Sequence, residues 1–292
     1  MSPPGTTKLE TQVLLTGLTI GESPRWHDGR LWFSNWGAAE VIAVDVEGNS
    51  EVVARVDTTL PFSIDWLPDG RLLIVSGPEG LLLRREPDGS LVTQADLSGL
   101  TPHSWNEIVV DGRGNTYVNS ICFDFMGGGE FAPGIIALVS PDGSVRQVAD
   151  GLAFPNGMVV TPDNSTLIVA ESFAGRLAAF DIAADGSLSN RRVWAELGEG
   201  GDGICMDSEG AVWCPAAKTC MRVREGSEVL EKIELDRMCF ACMLGGEDKK
   251  TLFMMAADWH GVERMFDGPR SGQVVTAKAP AGGVGWPNVS RA

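Results

Sequence analysis

Four residues able to offer an oxygen to a cation stand at matching places in the chain: Glu22 in GESPRW, Asn106 in SWNEIVV, Asn156 in FPNGMVV and Asp202 in GGDGICM. Each sits at the start of an apolar run that reads as a strand, where a polar side chain breaks the pattern. Two carboxylates and two amides gathered in one place would repel and stay poorly satisfied. A hard divalent cation resolves that conflict, because Glu, Asp and the Asn carbonyl are the oxygen donors that Ca2+ or Mg2+ takes. Asn and Asp also cap turns. One such residue would carry no argument; four in register do.

The register comes from a repeat. A turn built on Asp and followed by a strand recurs as HDGRLWFSN, PDGRLLIVSG, VDGRGNTYVNS, TPDNSTLIVAES, MDSEGAVWCPA and EDKKTLFMMAAD. Its aspartates, Asp28, Asp69, Asp111, Asp163, Asp207 and Asp248, are separated by 41, 42, 52, 44 and 41 residues. A near-constant period of this length signifies an array of like units. Each unit carries a second hairpin, for instance VIAVDVEGNSEVVARV or IIALVSPDGSVRQVADGL, so each is expected to hold four antiparallel strands. Four-stranded sheets repeated about a channel make a β-propeller. The expected fold is all-β, a six-bladed β-propeller, with residues 1–292 forming one domain. The sixth unit is a strand short, and TQVLLTGL at residues 11–18 precedes the first unit without a partner. That N-terminal strand is expected to close the sixth blade.

In a propeller the innermost strand of each blade begins near one mouth of the channel. The six starts read GESPRW, PFSIDW, SWNEIVV, FPNGMVV, GGDGICM and MCFACML. Glu22, Asn106, Asn156 and Asp202 thus point at a common axis.

Composition agrees with an all-β chain and narrows its partners. Of 292 residues, 43% are hydrophobic, and 36 Gly with 16 Pro favour many short elements joined by turns. The net charge of −16, from 39 acidic and 23 basic residues, repels phosphate backbones and anionic lipid. Neither a nucleic acid nor a membrane is an expected partner; a small-molecule substrate is. MSPPGTTKLE has no basic start or apolar leader segment, and no run nears the roughly 18 apolar residues of a membrane span. The expectation is a soluble, cytoplasmic protein. The six cysteines lie in or beside apolar strand-like runs and read as buried free thiols rather than disulfides. The CxxC of Cys239 and Cys242 lacks the further ligands a zinc site needs.

GESPRW, WNEIVVDGRGNTYV, FPNGMVVTPDNSTLIVAES and GGDGICMDSEGAVW resemble, in order and spacing, the signature segments of the SMP-30/gluconolactonase/luciferin-regenerating enzyme (LRE) family. The resemblance extends over nearly the whole chain. It implies a six-bladed propeller holding one divalent metal, Ca2+ first and Zn2+, Mn2+ or Mg2+ as alternatives, on Glu22, Asn156 and Asp202. It further implies Asn106 as a contact to metal or substrate, Asp202 as general base, and lactone hydrolysis as the activity. No G-x-S-x-G elbow is present, and none of His27, His103 and His260 sits in a recognisable triad. His27, in a hairpin turn, is expected to be exposed; His103 and His260 are candidates to line the mouth.

The chain departs from that family where substrate would be gripped. Members acting on sugar lactones commonly read Arg-x-Asn-Asp, against Ser104, Trp105, Asn106 and Glu107 here. Phe62, Trp105, Phe123, Phe125, Met126, Phe154, Phe173, Met238 and Phe240 can give the pocket an apolar lining, although packing between blades would claim about half of them. With His103, Ser104 and Asp124, the residues Asn106, Trp105, Phe123 and Phe154 form the candidate substrate-binding set. They suit a ligand less polar than an aldonolactone. CFDFMGGGEFAPG, residues 122–134, is the expected lid and accounts for the long third repeat. Three function classes remain: a metal-dependent lactonase or related esterase, a phosphotriester or phosphofluoridate hydrolase using the same cation, and a non-catalytic binding propeller with a structural metal. The oligomeric state is open.

Overall fold

The computed structural model describes residues 9–58 and 60–285. They form six four-stranded antiparallel sheets, five of them paired in simple chain order. The blades are residues 20–55, 62–96, 105–152, 155–196, 205–234 and 238–278, and the sixth takes Thr11–Leu18 as its outermost strand. The one helix among the described residues is a single turn, Val262–Arg264. None is long and apolar enough to cross a membrane.

The repeated aspartates explain why the chain turns where it does. Asp69, Asp111, Asp163, Asp207 and Asp248 each accept, through Oδ1, the backbone N–H two residues ahead, at 2.8–3.1 Å. Such side-chain turns set the hairpin without help from the rest of the fold. Asp28 works differently. It and Gly29 take φ of 48° and 75° between paired His27 and Arg30, a tight turn whose twist matches the flanking strands.

Blades meet through apolar side chains. One core cluster joins Leu31 and Phe33 of blade one, Trp213 of blade five and Phe253 and Met254 of blade six. The cysteines belong to this packing: all six are free, and five are buried. Cys205 and Cys242 lie 3.8 Å apart, sulfur to sulfur, and burial pushes both thiols up, away from reactive thiolate.

Thr11–Leu18 pairs antiparallel with Gly272–Lys278 from Thr11↔Ala277 to Leu18↔Gly272. It is therefore the clasp of the ring. Removing residues 1–18 would leave Gly272–Lys278 as a bare edge and open the first-to-sixth blade contact. Loss of cooperative thermal unfolding, followed by circular dichroism, is the expected result.

The innermost strands end opposite the mouth beneath a returning segment. Ser208 N donates to Gly282 O at 2.7 Å and Val284 N to Met206 O at 3.3 Å. There Val284 and Gly285, with Arg25 and Met243, line only about 30 Å3 of space. At the mouth end the cavity is about 580 Å3.

Candidate functional site

Two of the four oxygen-bearing residues, Asn106 and Asn156, lie within a bulge, and Glu22 stands directly before one. In Ile20–His27, Glu22 pairs with Ser34 but Arg25 pairs with Trp32, so three steps on one strand oppose two on the other. The same slip occurs between Trp105 and Ile108, opposite Ser120 and Val118. It occurs again between Pro155 and Met158, opposite Glu171 and Val169. An extra residue re-aims side chains that strict alternation would send to opposite faces. Consequently Glu22 with Ser23, and Asn106 with Glu107, both reach the cavity. Asp202 arrives from the segment before Cys205–Met206, its N–H bonded to Pro215 O at 3.1 Å.

Gly157 lets Asn156 and Asp202 come together. A Cβ there would lie 2.4 Å from Asp202 O and 2.5 Å from Ile204 N, so the next blade's backbone occupies the place of a side chain. Gly157→Ala must push residues 202–204 away, at a cost of about 1–3 kcal/mol. A clear drop in melting temperature is expected on thermal unfolding.

Glu22, Asn106, Asn156 and Asp202 all line the large cavity. Glu107 joins them and was not singled out from sequence; the only clue was an acid directly after Asn106. Its carboxylate accepts from Ser23 Oγ at 2.9 Å and Ile108 N at 2.8 Å, with Arg25 Nη2 at 3.4 Å. That guanidinium is shared with Asp65, 3.6 Å away, and with Ile108 O at 2.5 Å. Burial raises the Asp65 carboxyl to about 6 against the opposing pull of Arg25. Burial, then the charges of Asp202 and Glu107, push Glu22 well above the carboxylate range. Burial and the Glu107 charge raise Asp202 to about 8. The described lining contains no Lys or Arg.

This is a donor set short of positive charge. Asp202 Oδ1 is buried without a hydrogen-bond partner, and such an atom costs stability unless something else meets it. Asn156 directs its NH2 to Ser172 Oγ and Asn106 its NH2 to Pro155 O, both at 3.4 Å. The Asn156 amide also bonds the Asp202 carboxylate, which leaves the two amide oxygens as the atoms that could meet a cation. Among the described residues no group of three or more His, Cys, Asp or Glu is arranged around a metal position. The convergent donors are instead acids mixed with amides, all oxygen, which is the chemistry of a hard cation.

Of the remaining candidates, His103, Ser104, Phe123, Asp124 and Phe154 line the cavity. Trp105 does not, which corrects its placement among the substrate contacts. It is fully buried in the core cluster that joins blades two and three, with Leu73, Leu97 and Ile108, so its side chain turns away from the side that Asn106 takes. His260 is absent from the lining, where its neighbour Trp259 appears. His27 is half-buried, not exposed: its ring stacks on Trp66 with centroids 4.3 Å apart, and burial lowers its pKa. Eight of the nine proposed apolar side chains reach the cavity, all but Trp105, and of these Phe62, Met238 and Phe240 also pack in the core clusters between blades. Trp36, Trp259 and Met265 add to them. In the 122–134 segment Gly127 N and Gly129 N bond to Asp124, at 2.8 Å to Oδ1 and 2.7 Å to O.

Pentonolactonase XacC of Haloferax volcanii is 26% identical over 211 residues, which are 70% of this chain and 68% of that protein. Diisopropyl-fluorophosphatase of Loligo vulgaris is 26% identical over 198 residues, 59% of this chain and 61% of that one. A solved luciferin-regenerating enzyme superposes with a TM-score of 0.81 at 17% identity, covering 96% of this chain and 99% of that one, a likeness of fold. The family model described as "SMP-30/Gluconolactonase/LRE-like region" matches residues 20–258. That span contains Glu22, Asn106, Asn156 and Asp202, and by it the chain belongs to the SMP-30/gluconolactonase/LRE-like family.

Proposed function

We propose that this chain is a divalent-metal-dependent hydrolase that opens lactone rings, on a lactone less polar than an aldonolactone. The observation that carries the proposal is Asp202: a carboxylate with one buried, unpartnered oxygen, beside other acids in the lining of a largely apolar cavity of about 580 Å3. Glu22, Asn156 and Asp202 would hold the cation, with Asn106 beside it; Ca2+ suits this all-oxygen set best. When bound, the cation supplies positive charge that polarises the lactone carbonyl.

The chain's own residues account for the proton and for orientation. As a water attacks the carbonyl carbon, its proton passes to the Asp202 carboxylate. When the ring C–O bond breaks, the departing oxygen takes a proton back from the same carboxyl, and the ring opens to a hydroxy acid. Glu107, beside Asp202, raises the hold of that carboxyl on a proton and so favours its keeping the proton between the two steps. The Asn106 amide is placed to orient the carbonyl, and the aromatic walls exclude bulk water. The missing Arg at Ser104 and the apolar lining are the grounds for a less polar substrate.

Phosphotriester or phosphofluoridate hydrolysis is a second reading. The similarity to the Loligo enzyme favours it, and the same base and charge deficit would serve it. The test is turnover by metal-stripped and Ca2+-reconstituted protein on lactones graded from hydroxylated to aryl-substituted, with a phosphotriester alongside. Activity on lactones is expected only after reconstitution, together with a rise in melting temperature on adding Ca2+. Undiminished activity in stripped protein would overturn metal dependence. Turnover of the phosphotriester alone would favour the second reading, and tight ligand binding without any turnover would favour a binding protein.

A further inference from the structure

We propose that the cavity contains a dedicated aryl subsite on blades three and four, built from Phe125, Phe154 and Phe173 over Phe123, so that the preferred lactone carries an aromatic ring. The inference rests on the lactonase reading for the reacting group but not for the subsite itself.

Five phenylalanines meet here. Phe154 and Phe173 stack with centroids 4.6 Å apart, and Phe125 meets Phe154 edge-on at 5.0 Å. Phe123 lies 5.7–6.1 Å from Phe125, Phe131, Phe154 and Phe173. Phe123, Phe125, Phe154 and Phe173 all face the cavity that holds Asp202. A group serving only as core would be covered, yet Phe173 is 55% and Phe131 50% exposed. Apolar surface left open beside a reactive site marks a ligand surface.

The backbone supports the same conclusion. Phe154 holds φ of 60° and Cys122, next to Phe123, φ of 59°, a conformation uncommon for residues with a side chain. Phe154 is fixed there by Ser172 N donating to its carbonyl at 3.0 Å. Below it, the buried Glu171 pairs with Arg176 and Arg191 and accepts from Ala153 N at 3.1 Å. Unfavourable backbone at a site that the surroundings enforce points to function.

Ring geometry selects an aromatic over an aliphatic ligand. Edge-to-face and offset contacts among rings add attraction beyond that due to buried area alone. A phenyl group should therefore bind better than a cyclohexyl group of similar size, by about 2- to 12-fold.

The experiment compares γ-butyrolactones bearing phenyl or cyclohexyl at the same carbon, as kcat/KM in Ca2+-reconstituted protein. The corresponding γ-lactams, which are not turned over, are measured in parallel by calorimetry. Phenyl is expected to exceed cyclohexyl by the factor above in both. Phe173→Leu, which keeps apolar bulk without a ring, and Phe125→Ala should bring the ratio close to one. Phe266→Ala, on an exposed residue outside the cavity lining, should leave the ratio unchanged. Equal phenyl and cyclohexyl values in the wild type would overturn the proposal, as would a ratio indifferent to Phe173→Leu and Phe125→Ala. If no lactone turns over, the lactonase reading fails separately. The lactam contrast still decides the subsite: present, it stands; absent, it falls.

Discussion

Asp202→Asn is expected to lower kcat on a lactone by about 10²-fold or more, and at the same time to make the metal-stripped protein more resistant to heat. The first effect follows from the loss of the proton acceptor, since an amide oxygen can still coordinate a cation but cannot take up the water's proton. The second follows from linkage. Without a cation, burial and Glu107 raise the Asp202 carboxyl to about 8, whereas in the unfolded chain it titrates near 3.9. The folded state therefore holds a proton that the unfolded state releases. Stability is fully present below about pH 4 and is lost as pH rises through about 8. Asparagine resembles the neutral acid at every pH. Stripped wild type and Asp202→Asn should have similar melting temperatures near pH 4, and the mutant should be several degrees more stable at pH 8.5. Adding Ca2+ at pH 8.5 should reverse the order. Scanning calorimetry over pH with chelator or Ca2+ checks this. Activity within a few-fold of wild type would remove Asp202 as base, and parallel pH profiles would show that its burial is not what destabilises the stripped protein.

The features legible in the sequence are those with local causes. The aspartate turns close through contacts two residues apart, so the repeat and its blade count appear directly in the chain. The unpaired strand at residues 11–18 could be assigned because a propeller must close. The four oxygen donors stood out because each interrupted an apolar run. What escaped attention comes from the bulges. Alternation along a strand gives no means of knowing that Asn106 and Glu107 reach one cavity while Trp105 turns into the core. The extra residue shows only in the pairing with Ser120 and Val118. His27 was misjudged for a different reason. Its partner Trp66 belongs to the next blade, and contacts between blades leave no trace in spacing. The same holds for Trp36 and Trp259, which come from blade one and from the segment after Thr251–Ala257 to line the mouth.

Ser104→Arg is the change expected to do most to substrate choice. Ser104 lines the cavity, and Ser120 Oγ donates to its carbonyl at 2.8 Å, so the backbone at this place is held and a longer side chain must extend from a fixed base. The cavity it would enter is walled by Phe123, Phe125 and Phe154 and has no other cationic side chain among its described lining. An aryl lactone filling that space would strip water from the guanidinium without offering it an acceptor, which is costly. A hydroxylated lactone would satisfy it. Discrimination thus comes as much from what the new charge penalises as from what it attracts. The ratio of kcat/KM for a phenyl-substituted lactone to that for a hydroxylated one is expected to fall by about 10- to 100-fold, most of it through the aryl substrate. Glu22, Glu107 and Asp202 set a condition on the measurement, because an arginine drawn toward them could compete with the cation. The comparison therefore belongs at saturating Ca2+, with calcium affinity determined on the same variant. An unchanged ratio at full occupancy would mean that Ser104 does not meet the substituent, and the preference for a less polar lactone would then rest on the phenylalanines alone.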